Sequence, residues 1–216
     1  MIMQNETKPE KIIEEIYQIK NYFTQNAFDS LYSKVLLERL TPKKDVILAD
    51  EEIHSAYKVG IHSKDNVASS TQPTITTPSN HVHFMEPYVT EFLYKTKENL
   101  SLIYKTSIYL ETAAAIVLFF PGEGIQTHWD GSVEGTPTHS GNPSRDYSTV
   151  FYFNDDFEGG LLHFTELDIK IKPEPNLILL FPTTILYSHC VEVVTSGIRM
   201  MSPGFWSSNK KNIDIQ

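Results

Sequence analysis

Tyr152-Phe153-Asn154-Asp155-Asp156-Phe157-Glu158-Gly159-Gly160-Leu161-Leu162-His163-Phe164 holds two short apolar runs separated by an acidic turn and a glycine pair. Runs this short, bounded by Asn, Asp and Gly, read as strands rather than helices. The same rhythm extends in both directions. Apolar runs near Ala113–Phe120, Gln126–Trp129, Thr149–Asn154, Leu161–Thr165, Asp168–Lys172, Leu177–Phe181, Ser188–Val194 and Arg199–Trp206 each predict a strand. About eight such strands, punctuated by Pro, Gly and Asn, suit a jelly roll. The fold class so expected is mainly β with peripheral helices, the β core occupying residues 108–207.

Upstream of that core the pattern turns helical. Thr7-Lys8-Pro9-Glu10 has the form of a capped helix start, and Ile12, Ile13, Ile16, Ile19 and Phe23 then recur on one helical face. A second helix is predicted over Ala27–Leu40, with Phe28, Leu31, Tyr32, Val35, Leu36 and Leu40 inward and Thr41-Pro42 as its stop. A third is predicted over Tyr88–Lys105. Between them Ser63–Asn80 is rich in Ser, Thr, Asn, Gln and Pro and reads as a long exposed loop, either a lid or a connector. With 216 residues, 40% of them hydrophobic and 12% aromatic, residues 1–216 are expected to form a single domain, in which 1–107 contribute N-terminal helices and the polar loop that support the core.

A net charge of −9 lacks the clustered Lys and Arg that neutralise phosphates, so no nucleic acid is expected as a partner. Cys190 is the only cysteine, and Met1–Glu6 has neither the basic start nor the apolar run of a secretion signal, so a cytoplasmic setting is expected. The longest apolar stretch, Ala113–Pro121, is too short to cross a bilayer, and no membrane segment is expected. Oligomeric state leaves no mark on the sequence.

The chemistry lies in His128-Trp129-Asp130, which follows a Pro121-Gly122-Glu123-Gly124 turn. Alternate residues of a strand share a face, so His128 and Asp130 can converge on one point. His189, opening Ser188-His189-Cys190-Val191, is the candidate third ligand from another strand. Two imidazoles and one carboxylate form a facial triad, a donor set that suits Fe(II) and leaves adjacent positions for a chelating cosubstrate and oxygen. It suits a closed structural zinc site less well. Further along lies Arg199, whose guanidinium, once buried, needs a carboxylate partner and can bind one bidentately.

The ordered set Pro121-Gly122, His128-x-Asp130, Tyr152 to Phe164, His189, Gly197-x-Arg199 and Trp206 resembles the prolyl 4-hydroxylase-type catalytic domain of the Fe(II)- and 2-oxoglutarate-dependent dioxygenase superfamily. The resemblance covers roughly residues 108–207. It implies a cupin-like double-stranded β-helix, Fe(II) on His128, Asp130 and His189, and 2-oxoglutarate as cosubstrate with its distal carboxylate on Arg199. It further implies a hydrogen bond from Tyr152 to that carboxylate, a tight turn at Gly159-Gly160, O2 as oxidant and ascorbate as reductant. The implied reaction hydroxylates an unactivated C–H bond while 2-oxoglutarate is oxidatively decarboxylated to succinate, and retention of Asp130 favours hydroxylation over halogenation. A prolyl residue in a peptide or protein is the implied substrate, with a free amino acid or other small molecule as the alternative. A catalytically silent jelly-roll binding module is the rival of another class.

Departures from the family pattern are local. Phe120 stands where some prolyl hydroxylases carry a tyrosine. Asn176 occupies a turn that is often Gly, although Asn tolerates the left-handed conformation. Pro203 interrupts the run after Arg199 and predicts a bulge or an edge position. Trp129, Arg145 and Tyr147, in or beside the polar loop Gly131–Tyr147, are candidates for substrate contact. His81-Val82-His83 with Glu86 has the form of a second, cupin-type metal cluster, although a surface role or one supporting the metal ligands suits it better. His54, His62, His139 and His163 carry no pattern, and Cys190 is expected to be a small core residue.

Overall fold

The computed structural model describes residues 7–40, 88–112, 116–131 and 143–210. Three layers are stacked. Helices α1 (Gln25–Leu40) and α2 (Tyr88–Tyr104) form the first. The second is a seven-stranded sheet in the order β1-β2-β10-β6-β13-β3, with β4 also paired to β13. The third is a four-stranded sheet, β5-β11-β8-β9, and a two-stranded ribbon pairs β12 with β7. The strands are β1 (Glu10–Ile13), β2 (Ile16–Ile19), β3 (Tyr109–Thr112), β4 (Val117–Phe119), β5 (Ile125–His128), β6 (Tyr147–Tyr152), β7 (Phe157–Gly159), β8 (Leu162–Phe164), β9 (Ile169–Ile171), β10 (Leu177–Pro182), β11 (His189–Val191), β12 (Val194–Gly197) and β13 (Arg199–Ser207). This is the antiparallel double-stranded β-helix; β4, β5, β6, β8, β9, β10, β11 and β13 fall on the eight predicted apolar runs, and β1, β2, β3, β7 and β12 are additional. No helix among the described residues is long and apolar enough to cross a membrane.

The central strands bury both faces, and the two faces do different work. On β6, Phe151 and its neighbour Phe153 pack toward the helices with Phe23, Phe28, Phe92, Ile178, Leu180 and Trp206. The alternate residues Val150 and Tyr152 face the space between the sheets with Phe119, Phe164, Leu179, Phe181 and Val191. Strand β10, buried along its length, splits in the same way. Two covered faces explain why Leu177–Phe181 is continuously apolar rather than alternating.

The first predicted helix is corrected. Residues 10–19 form the hairpin β1–β2, and β2 extends the large sheet by pairing Ile19 with Ile178, Gln18 with Leu179 and Tyr17 with Leu180. The isoleucines that mimic a helical face are β-branched and favour the strand. Glu14 and Asn21 adopt left-handed backbone with φ of 44° and 49°, which a helix through this segment could not accommodate. The hairpin is tied down by Asn176, itself at φ 61° as the turn requires. Its buried side chain accepts from the Phe23 N–H at 2.9 Å and donates to the Phe23 carbonyl at 2.8 Å. Helix α1 starts two residues before its predicted position because Thr24 caps it, its hydroxyl accepting from the Ala27 N–H at 3.4 Å and its carbonyl from the Phe28 N–H at 2.9 Å.

Pro203 is central, not at an edge. The Phe153 N–H donates to the Met200 carbonyl at 3.1 Å, which fixes the hydrogen-bonded rungs between β6 and β13 at Met200, Ser202 and Gly204. Pro203 falls between rungs and turns its nitrogen toward the opposite side, where β4 covers only Arg199–Met201 and β3 only Phe205–Ser207. The expected bulge is present two residues later, as a register shift between Phe205 and Trp206.

Candidate active site

Strand β5 ends at His128 and pairs antiparallel with β11, placing His128 directly opposite His189. Asp130 follows beyond the end of β5. Donor atoms of His128, Asp130 and His189 all lie within 4.8 Å of one another. Each imidazole is oriented by a backbone carbonyl: His128 Nδ1 lies 2.8 Å from Gln126 O and His189 Nδ1 lies 2.9 Å from Tyr187 O. Such bonds place the proton on Nδ1 and leave Nε2 as the free donor, the tautomer a metal needs. Both Nε2 atoms converge on Asp130, at 3.6 Å from Oδ1 and 3.8 Å from Oδ2. The carboxylate is in turn held by Ser148, whose hydroxyl donates to Oδ2 at 2.6 Å. Phe164 and Phe181 wall off His189, with ring centroids 5.6 and 5.2 Å away.

The electrostatics are those of an anion flanked by two imidazoles. Burial pushes the Asp130 carboxyl up, but His189 and His128 and the Ser148 hydroxyl outweigh it and hold the group well below the usual carboxylate range. Burial opposes a charge on His128, yet its hydrogen bond and charge interaction with Asp130 raise its pKa. Burial lowers that of His189, and the neighbouring His128 charge adds to the effect despite Asp130. Without a metal, then, protonation is favoured on His128 beside an ionised Asp130 and disfavoured on His189. A divalent cation would replace that proton.

Arg199 occupies the other end of the same interior. It is fully buried, its Nε donates to Gly160 O at 3.0 Å, and its Nη2 lies 3.5 Å from the Tyr152 hydroxyl. The rings of Phe119 and Tyr152 flank its guanidinium at 5.0 and 5.1 Å. Burial lowers the Arg199 pKa from its ordinary value, against the pull of Tyr152, and burial raises that of Tyr152, which remains a neutral phenol. Nη1 has no hydrogen-bond partner. A buried cation with an unmatched donor is costly unless an anion completes it, and a carboxylate bound bidentately would do so. Gly159 and Gly160 adopt φ of 74° and 63°, and a Cβ at Gly160 would come 3.0 Å from Arg199 Cδ. The donor set at one end and the unsatisfied guanidinium at the other fit Fe(II) and a chelating dicarboxylate.

Strand β6 links the two ends. Ser148, Val150 and Tyr152 share one face, so the residue holding Asp130 and the residue touching Arg199 lie on one rail, with Cα atoms about 13 Å apart at strand rise. Sequence reasoning missed Ser148; its phase with Tyr152 on β6 was the available signal. Tyr147 is one residue out of phase and faces the helices, stacked on Tyr104 at 4.2 Å, on the face opposite Ser148. Trp129 is partly buried, with an indole Nε1 that has no partner. Arg145 pairs with Glu111 at 3.1 Å and lies 3.7 Å above the ring of Phe205. Cys190 is half-buried and opposite His163, on the face turned away from the triad. His81, His83, Glu86, His54, His62, His139 and the Ser63–Asn80 loop lie outside the described residues.

A double-stranded β-helix with two histidines and a carboxylate at one end and a buried arginine at the other defines a class of iron-dependent oxygenases. Residues 115–207 match the profile of the 2OG-Fe(II) oxygenase superfamily, which with the His128, Asp130 and His189 cluster supports a 2-oxoglutarate-dependent dioxygenase domain over that span. Over 60 residues the chain is 45% identical to human prolyl 3-hydroxylase 2 and 42% identical to chicken prolyl 3-hydroxylase 1. Each match covers 26% of this chain and 8% of the relative. Among solved structures, a Trichoplax adhaerens prolyl hydroxylase in complex with a hypoxia inducible factor peptide fragment superposes with a TM-score of 0.62 at 14% identity, covering 94% of this chain and 87% of that one. The viral collagen prolyl hydroxylase of Paramecium Bursaria Chlorella virus-1 gives 0.60 at 14% identity, covering 97% and 100%. A Pseudomonas putida prolyl-4-hydroxylase gives 0.60 at 12% identity, covering 89% and 91%. At these identities the structural likeness establishes the fold.

Proposed function

We propose that the protein hydroxylates a prolyl residue within a peptide or protein. The observation that carries this reading is the arrangement on β6, where the Ser148–Asp130 contact and the Tyr152–Arg199 contact share one face of one strand. His128, Asp130 and His189 would hold Fe(II), and Arg199 with Tyr152 would take the distal carboxylate of 2-oxoglutarate. The iron, when bound, supplies oxygen activation coupled to decarboxylation of 2-oxoglutarate. The chain's own residues orient both imidazoles through Gln126 O and Tyr187 O, fix the carboxylate through Ser148, and keep water from the interior with Phe164, Phe181 and Val150.

Substrate would enter beside the triad. Phe205 is the cross-strand partner of Ser148 on β6, and directly opposed residues share a sheet face, so the Phe205 ring lies on the side of Asp130. Arg145 stacks on it, and Trp129 offers its unmatched indole N–H. The named relatives, prolyl 3-hydroxylases, favour C3 of the pyrrolidine ring as the site of oxidation. Incubation of proline-containing peptides with Fe(II) and 2-oxoglutarate tests this: a gain of one oxygen, recovered after hydrolysis as 3-hydroxyproline, supports it. Succinate formation with oxygen inserted only into free amino acids would replace it with the small-molecule reading.

A further inference from the structure

Glu111, on β3 and outside the matched family region, has a side chain only 3% exposed and accepts from Arg145 Nε at 3.1 Å. Arg145 in turn covers the Phe205 ring at 3.7 Å, and Phe205 pairs across the sheet with Ser148, the hydroxyl that holds Asp130. The three side chains therefore form a surface one strand away from the metal carboxylate. It presents an aromatic ring and the planar face of a guanidinium whose charge is already matched.

We propose that Glu111 is a specificity-determining residue: by neutralising Arg145 on Phe205 it selects a reacting residue that carries no charge of its own, an internal prolyl residue, over one bearing a free carboxylate. The inference rests on the prolyl hydroxylase reading and names the property of the site that separates its peptide and amino-acid forms. A carboxylate taken out of water needs a cation of its own. Among the described residues on this side of the sheet, Arg199 is reserved for the cosubstrate and Arg145 is engaged by Glu111. An amide in place of the carboxylate avoids that cost, while the flat, weakly hydrated guanidinium still packs against an apolar ring.

The test compares two probes that differ by one charge, an N-acetylated peptide ending in proline as its amide and the same peptide ending in proline as its free carboxylate. With the full chain, Fe(II) and 2-oxoglutarate, the natural protein should show kcat/KM at least about tenfold higher for the amide, the size of a modest uncompensated desolvation. Glu111→Gln frees the charge of Arg145 and should level or invert that ratio, mainly through KM for the carboxylate probe. Arg145→Gln removes the guanidinium while keeping the Glu111 carboxylate and should widen the ratio. Two variants with opposite expected signs separate charge matching from a general loss of fold, which would lower both probes together. An amide-to-carboxylate ratio unchanged in both variants overturns the assignment of Glu111. Succinate formation with neither probe oxidised by the natural protein overturns the peptide reading beneath it.

Discussion

Replacing Arg199 by Met removes a fully buried cation and keeps an apolar side chain of similar length. In the protein without cosubstrate, the losses are the Nε bond to Gly160 O at 3.0 Å, about 1 kcal/mol, and the longer, weaker Nη2 contact with the Tyr152 hydroxyl at 3.5 Å. The gain is relief from burying a charge whose Nη1 has no partner, and buried charges are often replaced by apolar groups at no cost. Stability should therefore change by no more than about 1 kcal/mol. Binding of 2-oxoglutarate should respond very differently. A bidentate contact contributes two charge-assisted hydrogen bonds of roughly 1.5–3 kcal/mol each, so their loss predicts a Kd weaker by about 10²- to 10⁴-fold. Metal chelation at the other end of the molecule keeps the loss finite. Thermal unfolding with Mn(II), with and without 2-oxoglutarate at about 100 times the natural Kd, reads both effects. A shift near 2.7 kcal/mol, or about 5–10 °C for a chain of this size, should vanish in the variant while the baseline Tm stays put. A variant that loses several kcal/mol without ligand yet keeps the full ligand shift would refute the reasoning, because Arg199 would then be a structural cation.

Asp130→Ala should reduce succinate formation below detection and weaken metal binding, read by Mn(II) titration. Ser148→Ala should weaken the metal by about 10- to 100-fold, the usual effect of losing a bond to a ligand, with Ser148→Thr restoring it; equal affinity in the alanine variant counts against a role for the hydroxyl. Metal affinity should fall about tenfold per pH unit once the pH drops below the raised pKa of His128, because the cation must displace one proton. Conversely, the stability of the metal-free protein gained from the protonated His128 is complete below the ordinary histidine pKa near 6.5 and is lost as pH rises through the raised folded value. A flat metal affinity between about pH 5.5 and 8 would contradict the raised pKa of His128. Asn176→Ala should lower Tm by about 6–12 °C, since it puts a non-glycine, non-Asn residue at φ 61° and removes both bonds to Phe23, together about 3 kcal/mol.

What was legible in the sequence was whatever depended on order and period. His128 and Asp130 stand two apart, the strands around them are short and bounded by turn residues, and Arg199 follows a glycine at φ 74°; each is local. The β1–β2 hairpin was misread because Ile12, Ile13, Ile16 and Ile19 satisfy a helical period equally well. Only the partner strand decides between them, and β10 lies far away in the chain. Ser148 and Glu111 escaped for the same reason. Nothing near Ser148 announces Asp130, and nothing near Glu111 announces Arg145, until β13 is placed between β3 and β6. Tyr147 lies next to the loop in sequence, whereas facing is set by phase.

That dependence on phase also explains why the helices matter to the chemistry. Strand β6 cannot shift along its neighbours, because β10 and β13 grip it on both sides through six paired positions each. Slippage by one residue would exchange Phe151 and Phe153 for Val150 and Tyr152, exposing rings that pack on Phe23, Phe28 and Phe92. The aromatic layer beneath the helices thus penalises any register but the one that points Ser148 at Asp130 and Tyr152 at Arg199. The distance between the metal end and the guanidinium end is then a property of the core rather than of the site residues themselves. Substitutions in the helix layer that loosen Phe151 would be felt at both ends of the cosubstrate pocket together.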